Sequence, residues 1–428
     1  MIKANILSPI LGLLLLGLVA VSELFAQTSI EPITPHKKNS GGMLTVQGEH
    51  SRVLLSAIDN LSPEHQQKRR RGHAFFNTLF ISGESEVPKR QGLGPLFNGA
   101  SCEVCHNRLG KGQMPNLTDT QPSALVFQLS TLQKNQQWQT FHPVYGDIFN
   151  PFAIPGVPDE GRIEMNYNII KGTFSDGSPW ELSSPSYTFK TLNYGSFEDK
   201  EIIKTAFSPR LAQSLIGMGL LEAISEQDIM RNADPDDENH DGISGRAHYF
   251  RHDNQVRLGR FGWKATHVNL RAQITDALKN EQGIKTTDHP HTSCTKQQIA
   301  CLNADLKGKN IELTNEDLEA ILFFTQTIPV PERRNINDEQ VLKGEIVFNT
   351  LACQQCHISS FRTQKQAGLP LLSQQIISPY TDLLLHDMGE DLADNRPVLD
   401  ASGREWRTAP LWGIGLNKLI SGTESYLH

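Results

Sequence analysis

The same five-residue pattern, Cys-x-x-Cys-His, occurs twice in this chain and strongly limits what the chain can fold into. The first copy is Cys102–His106 and the second is Cys353–His357. Two thiols three residues apart lie on one side of a helical turn, so both can reach one planar ligand. With a histidine directly after the second cysteine, this is the pattern of covalent c-type haem attachment. The sequence therefore predicts two haems with iron, each held by two thioethers and an axial histidine, through Cys102, Cys105, His106, Cys353, Cys356 and His357.

Zinc is the alternative ligand, because paired Cys-x-x-Cys units also bind this metal. A zinc site would leave the histidine after each pair as a coincidence. With 15 histidines in 428 residues, that coincidence is expected roughly once in a thousand such chains. Each copy also has a Phe-Asn pair upstream, with Phe97 and Phe348 five residues before its first cysteine. We therefore favour two haems over zinc.

Residues 1–26 are typical of an export signal. Lys3 gives a positive start, an apolar run extends from Ile6 to Val21, and Ala26 offers a small residue for cleavage. The run is short for a membrane span, with an uncleaved anchor as the alternative. Bacterial c-type haem is attached outside the cytoplasm, which agrees with such a leader. We therefore predict a periplasmic protein (exported by its signal peptide) with no stable membrane insertion after cleavage.

The net charge and the two remaining cysteines further limit the class of protein to which the chain can belong. The formal charge is −7, and apart from the short run Lys68–Arg71 no basic tract suggests nucleic acid. We expect Lys68–Arg71 to be a solvated helix face, with docking of an acidic electron donor as the alternative.

In an oxidising compartment, Cys294 and Cys301 are expected to form a structural disulfide. A redox-active dithiol is the alternative, but these cysteines lack the Cys-x-x-Cys spacing that activates a thiol.

After the signal peptide, the chain is predicted to have three regions. Residues 27–109 form an N-terminal segment with the first haem motif, residues 110–330 an elaborated middle region that completes the first haem domain, and residues 331–428 a second cytochrome c domain. Local patterns predict short strands near 124–129, and helices from Pro63 to Phe80, from Pro209 to Leu215, from Thr314 to before Pro329, and after Asp338. We therefore predict a mainly α fold, with two cytochrome c-like haem domains and a large loop-rich insertion that carries short strands.

A second metal site is predicted in the middle region. Asp237, Asn239 and Asp241, followed by Gly242, match the opening of a calcium loop. Alternating positions direct three oxygens at one centre, and the glycine allows the sharp turn. The twelfth position is His248 instead of glutamate, so the loop is not an EF-hand. Calcium is the prediction, and an acidic surface turn is the alternative.

Beyond the haem motifs, nine short segments have distinctive combinations of glycine, aromatic and charged residues. They are Gly92–Pro95, His142–Gly146, Gly172–Gly177, Pro209–Arg210, Gly217–Ile224, Asp241–Arg246, Gly259–Ala265, His386–Gly389 and Glu405–Gly413. In these segments, and from about residue 70 onward, the chain resembles the di-haem oxidoreductases of the thiol-oxidoreductase and peroxidase-like type. That family is distantly related to the bacterial di-haem cytochrome c peroxidases.

The resemblance implies an enzyme that passes electrons through two covalently bound haems to a small oxidant such as peroxide. A small redox protein or a quinone-linked donor would supply the electrons. In the family, a segment similar to Tyr426–His428 runs on into a final helix, whereas this sequence stops at His428. We therefore expect a truncated product whose second haem domain lacks its final helix, so that Ile346, Val347 and Phe348 lose a packing partner.

The sixth ligand of each iron decides between catalysis and simple electron transfer. Met388 is the candidate distal ligand of the second haem, with His386 as its rival, and the first haem has no equally good candidate among Met114, Met165 and Met218. This asymmetry suggests that the second haem relays electrons and the first binds the oxidant. The alternative is a non-catalytic di-haem electron-transfer cytochrome c. Candidates for an electron bridge are Trp263, Trp406 and Trp412, and candidates for proton handling are Glu164 and Glu222.

Overall fold

The computed structural model of the protein describes residues 38–59, 61–83, 90–115, 124–199, 201–305, 311–366 and 368–422. The predicted signal at 1–26 and the segment Tyr426–His428 lie outside these residues. The structure is 27% helix and 24% strand, with the strands spread over many small sheets. The prediction of a mainly α fold is therefore wrong. Among the described helices, none combines the length and the apolar character needed to cross a bilayer.

Nine α-helices lie in the described residues: α1 (Pro63–Asn77), α2 (Cys102–Cys105), α3 (Met218–Glu222), α4 (Glu226–Met230), α5 (Leu270–Gln282), α6 (Ile299–Asp305), α7 (Asn315–Gln326), α8 (Glu339–Thr350) and α9 (Asn417–Ser421). The helices predicted near Pro63, Thr314 and Asp338 are confirmed as α1, α7 and α8. Each begins after a residue whose side chain accepts a hydrogen bond from an N–H of the first turn: Ser62, Thr314 and Asp338. Such caps satisfy N–H groups that the helix itself leaves without partners.

The same part of the chain contains seventeen strands: β1 (Thr45–Val46), β2 (Leu96–Phe97), β3 (Leu125–Gln133), β4 (Trp138–Gln139), β5 (Ile148–Phe149), β6 (Phe152–Ala153), β7 (Arg162–Thr173), β8 (Pro179–Lys190), β9 (Ile202–Leu211), β10 (Gly245–Arg246), β11 (Tyr249–His252), β12 (Gln255–Leu258), β13 (Val330–Pro331), β14 (Phe361–Arg362), β15 (Ile376–Ile377), β16 (Leu385–Asp387) and β17 (Glu405–Arg407). The largest sheet has four strands, in which β3 pairs antiparallel with β9, β4 and β5. Strands β7 and β8 form a separate, largely exposed ribbon.

The middle region explains why the fold-class prediction failed. The segment Pro209–Leu215 was expected to be a helix, but Pro209–Leu211 ends strand β9, with Pro209 opposite Phe127 of β3. In β3, Leu125, Phe127 and Leu129 alternate towards a buried cluster that is rich in aromatic rings. This period of two is that of a strand with one buried face. Pairing with β3 therefore overrides the local helical pattern of β9.

One hydrophobic core spans the predicted boundary between residues 330 and 331. It includes Leu44, Phe76 and Phe324 from before the boundary, and Leu384 and Leu416 from after it. Strands β1 and β13 also pair in parallel beside this core. The division into two haem domains stays a prediction, since a shared core does not itself mark where a domain begins.

Helices α1 and α7 cross in close contact, and their contact depends on one glycine. A Cβ atom at Gly72 of α1 would lie 2.0 Å from the carbonyl oxygen of Ala320 in α7. Phe76 of α1 and Ile321 of α7 then face the first Cys-x-x-Cys-His motif together. The helix crossing therefore builds two walls of the space beside that motif.

Candidate haem sites

The first motif forms a single helical turn. Helix α2 begins at Cys102 and ends at Cys105, and the main-chain N–H of His106 donates to the carbonyl of Cys102 at 2.9 Å. Cys102 is half-buried and Cys105 is buried, and neither is in a disulfide. Burial raises the pKa of both thiols, that of Cys102 to about 11. Both sulfurs are therefore protonated thiols at neutral pH.

These thiols open into a cavity beside the motif. Its walls come from α1, α5 and α7 and are mostly apolar, with Phe76, Leu270, Ile274, Leu278 and Ile321 among the lining residues. Cofactor sites are usually lined in this way, by apolar and aromatic side chains with a few polar groups. The cavity therefore has the apolar lining that a porphyrin needs.

His106 has the protonation state of a metal ligand. Burial lowers its pKa to about 4, so the imidazole is neutral at neutral pH. Its Nδ1 atom is buried and has no hydrogen-bond partner in the described part of the chain. Neutral imidazole nitrogen is the form that binds iron and other metals. The paired thiols, the neutral imidazole and the apolar walls thus fit a haem at this motif.

A second, more polar cavity adjoins the first and shares Cys105, His106 and Glu281 with it. Burial, with a smaller contribution from Asp276, raises the pKa of Glu281 to about 7. His267 Nε2 lies 3.2 Å from Asp276 Oδ2, and both residues line this cavity. A carboxyl group that titrates near neutral pH therefore faces the same space as the first motif.

Glu281 was not predicted as a site residue, although its position in the sequence carries a signal. Glu281 follows Ile274 by seven residues and Leu278 by three, so it lies on the apolar side of α5. A carboxylate at such a position is unusual, because charged residues avoid buried helix faces unless they are paired or functional. The carboxylates suggested from sequence lie elsewhere. Glu164 is exposed on β7, and Glu222 accepts hydrogen bonds from Leu270 N and Gln326 Nε2.

Of the three methionines suggested for the first haem, Met218 is the one that lines both cavities at the motif. It also lines a third cavity, whose walls include Trp263 and Trp412. The ring of Trp263 lies edge-on to that of Trp406, with 5.9 Å between the centroids. Trp263 therefore lines a cavity that contains Cys105 and His106 of the first motif, and Trp412 lines the third cavity with Trp263 and Met218.

The second motif follows α8 through a tight turn. Ala352 has a left-handed backbone conformation with φ 59°, and Cys353 starts a 3₁₀ turn that leads to His357. His357 is buried, its Nδ1 lies 2.8 Å from the carbonyl oxygen of Tyr380, and burial lowers its pKa. A hydrogen bond from one imidazole nitrogen to a carbonyl is the usual device that orients a histidine ligand. This donor set therefore also fits a haem.

His386 contacts the second motif. Its Nδ1 lies 3.7 Å from Cys356 Sγ, and its Nε2 lies 2.7 Å from Asp382 Oδ2. Burial lowers the pKa of His386, but the hydrogen bonds to Asp382 and Cys356 outweigh it and raise the pKa to about 10. Met388, two residues later, is half-buried, and its main-chain N–H donates to Arg404 O. Met388 as a distal ligand stays a prediction.

Helix α8 presents apolar side chains to the outside beside the second motif. None of its residues is buried, and the exposed fractions of Ile346, Val347 and Leu351 are 65%, 52% and 69%. Phe348 instead contacts the rings of His357 and Tyr380. An apolar surface therefore adjoins the second motif.

The residues suggested for calcium are engaged with the main chain. Oxygens of Asp237, Asn239 and Asp241 accept hydrogen bonds from the N–H groups of residues 241–243, and Gln355 Nε2 donates to Asp241 Oδ2 at 2.5 Å. Across the described ranges, no three His, Cys, Asp or Glu side chains are grouped as metal ligands. The loop therefore rests against the second motif as a hydrogen-bonded turn.

Cys294 and Cys301 are joined by a disulfide, with their Cα atoms 5.8 Å apart. Cys301 is fully buried, in a small cluster with Leu96 and Val157. The bond therefore closes a short loop and leaves only the four motif cysteines as thiols.

Comparison with known protein families agrees with the resemblance seen in the sequence. The family model described as "Di-haem oxidoreductase, putative peroxidase" matches residues 35–131 and 157–428, which include both motifs and most of the chain. No curated protein and no solved structure shows a significant match. On the extent of the family match, with both haem motifs inside it, the chain belongs to the di-haem oxidoreductases.

Proposed function

We propose that this protein is a periplasmic di-haem c-type oxidoreductase with peroxidase-like activity. It passes electrons from a small redox protein or a quinone-linked donor, through two covalently bound haems, to a small oxidant such as peroxide. The observation that carries the proposal is the cavity at the first motif, where two thiols, a neutral imidazole and the carboxyl of Glu281 face one space. The predicted leader and the disulfide support an oxidising compartment.

In this proposal each motif holds one haem. Thioether bonds form at both cysteines of a motif, and the histidine that follows binds the iron: Cys102, Cys105 and His106 for the first, Cys353, Cys356 and His357 for the second. A haem held in this way supplies one-electron transfer and, where its sixth position is open, a site for a small oxidant. The second haem would pack against the exposed apolar side chains of α8.

The first motif is the better place for the oxidant, because its surroundings can hold and move protons. Glu281, with its pKa near 7, can both donate and accept a proton at neutral pH, which is the property of an effective acid–base group. His267 and Asp276 form a hydrogen-bonded pair in the same cavity. Apolar side chains of α1, α5 and α7 line the adjoining cavity at this motif.

The second motif suits an electron relay. Tyr380 fixes the orientation of His357, and the buried pair of His386 and Asp382 closes one side of the motif. In this proposal, electrons leave the first motif by way of Trp263 and Trp412. Both tryptophans line the third cavity, which shares Met218 with the cavity at the first motif.

The test uses the full chain, produced with an intact cytochrome-maturation system. Haem that stays bound in acid acetone, at two per chain, is the expected result; haem that is extracted refutes covalent attachment. The half-reduced protein is then examined by optical and magnetic-resonance spectroscopy. We expect one five-coordinate, high-spin haem whose spectrum shifts with peroxide, and its loss in Cys102→Ser/Cys105→Ser. If both haems are low-spin and their spectra do not change with peroxide or cyanide, the protein is instead a non-catalytic electron-transfer cytochrome.

Glu281→Gln tests the role of the cavity carboxyl. Loss of an acid–base group typically lowers turnover by about 10²–10⁴-fold, so we expect a fall of at least about 10²-fold in peroxide reduction. Glu164→Gln is the control, because Glu164 is exposed on β7 and is not among the residues that line the cavity. Equal turnover in both variants and the wild type would remove Glu281 from the mechanism.

A further inference from the structure

Three buried cations gather beside the polar cavity. Arg210, Lys264 and Arg396 are each at most 4% exposed. Arg210 Nη2 lies 2.7 Å from Asp394 Oδ2, and Lys264 Nζ lies 3.2 Å from Asp394 Oδ1. In the part of the chain that the structure describes, Asp394 is the one carboxylate within ion-pair distance of Arg210 or Lys264, and the charge of Asp147 acts on Arg396. Three cations therefore face two carboxylates, and the group carries an excess of positive charge away from water.

Arg210 has hydrogen-bonding capacity that the described residues leave unused. Its Nε and Nη1 atoms are buried and have no hydrogen-bond partner in those residues. The guanidinium stacks on Trp406, 4.3 Å from the ring centroid, so its plane is held in place. A buried donor without a partner costs about 1–3 kcal/mol, and more when it is charged. A ligand that accepts these N–H groups would remove that cost.

The side chain of Arg210, with its unpaired N–H donors, lies next to the first motif. Arg210 and Lys264 line the same space as Cys105 and His106. Burial lowers the pKa of Arg210 to about 9 and that of Lys264 to about 8, so both are still largely charged at neutral pH. Nε and Nη1 lie on different edges of the guanidinium, on either side of the Nη2 that binds Asp394, so each can donate one charge-assisted hydrogen bond to an anionic oxygen such as that of a carboxylate.

We propose that Arg210, with Lys264 beside it, binds a carboxylate in the cavity next to the first Cys-x-x-Cys-His motif. The carboxylate has two sources, a propionate of the first haem or a free organic acid that enters the cavity. The propionate source rests on the proposed function, whereas the free-acid source does not. Arg396 backs the site, donating from Nη1 to Gln128 Oε1 at 3.0 Å.

The first arm of the experiment detects a haem propionate. The holoprotein is produced with haem labelled with ¹³C in its propionate carboxyls, and redox-induced infrared difference spectra are recorded. We expect the labelled carboxylate bands to shift in Arg210→Gln and in Lys264→Gln. They stay unchanged in Arg260→Gln, whose guanidinium donates to the carbonyls of Glu222 and Ile224.

The second arm detects a free carboxylate. The holoprotein is titrated with acetate by calorimetry and by the absorption of the first haem. A saturable signal, with a dissociation constant at least tenfold weaker in Arg210→Gln, assigns the site to an organic acid. Lys285→Gln is the matched control for Lys264→Gln, because Lys285 is equally buried and lies 3.4 Å from Glu312.

The outcomes separate this proposal from the proposed function. Haem content is measured first, and absence of covalent haem refutes the proposed function and leaves the acetate titration to decide this site. Protein that carries two haems but shows neither a band shift nor acetate binding overturns the carboxylate site alone. If Arg210→Gln fails to fold, Lys264→Gln with its control gives the same decision.

Discussion

The crossing of α1 and α7 gives a sharp test of how closely the walls of the first cavity are packed. In Gly72→Ala, the new Cβ would lie 2.0 Å from Ala320 O and 2.6 Å from Phe324 Cβ, whereas such contacts are essentially never below 3.0 Å. A main-chain carbonyl cannot rotate away, so the two helices must separate by about 1 Å or more. Overpacking of this kind costs about 1–3 kcal/mol, and alanine in place of a helical glycine returns about 0.5–1 kcal/mol.

Because the obstacle is main chain, we take the upper end of the packing cost and expect Gly72→Ala to lower the free energy of unfolding by about 2 kcal/mol. Gly344→Ala is the matched control, since Gly344 lies inside α8 with no atom within 4 Å of its Cβ position. That variant should gain about 0.5–1 kcal/mol.

The measurement is thermal unfolding of the haem-loaded protein by circular dichroism, with the absorption of the first haem recorded in parallel. Gly72→Ala should melt lower and alter that absorption, because α1 and α7 supply Phe76 and Ile321 to the cavity. A Gly72→Ala protein as stable as the wild type, or stabilised as much as Gly344→Ala, would refute the close crossing.

Three further predictions follow from single contacts. Burial raises the pKa of Glu281 from its ordinary 4.5 to about 7. Its contribution to the stability of the folded protein is therefore fully present below pH 4.5 and is lost as the pH rises through about 7. The melting temperature should fall across this pH range, and it should fall less in Glu281→Gln. Cys294→Ser with Cys301→Ser opens a loop closed across a separation of 7 residues. It should cost about 2.5 kcal/mol while peroxide turnover is kept, and lost turnover would indicate a redox role. Calcium or a chelator should leave the melting temperature unchanged, because oxygens of Asp237 and Asp241 already accept main-chain N–H groups, and a rise with calcium would contradict this.

The two Cys-x-x-Cys-His motifs could be read from the sequence because their geometry is local. A thiol, a second thiol three residues later and the next histidine share one turn wherever that turn lies in the fold. Helix starts were equally local, since Thr314 and Asp338 cap their own first turns. The family match then followed from ordered segments along the chain.

The strand content and the surroundings of the motifs were not local, and only the tertiary structure decided them. Pro209–Leu211 is a strand because β3 lies beside it, although its own pattern suggested a helix. Glu281 comes from α5, Arg210 from β9 and Lys264 from a loop, and they meet in one cavity with His106. Which charges become neighbours, and how far burial moves their pKa values, depends on contacts between residues far apart in the chain. No spacing along the sequence encodes those contacts.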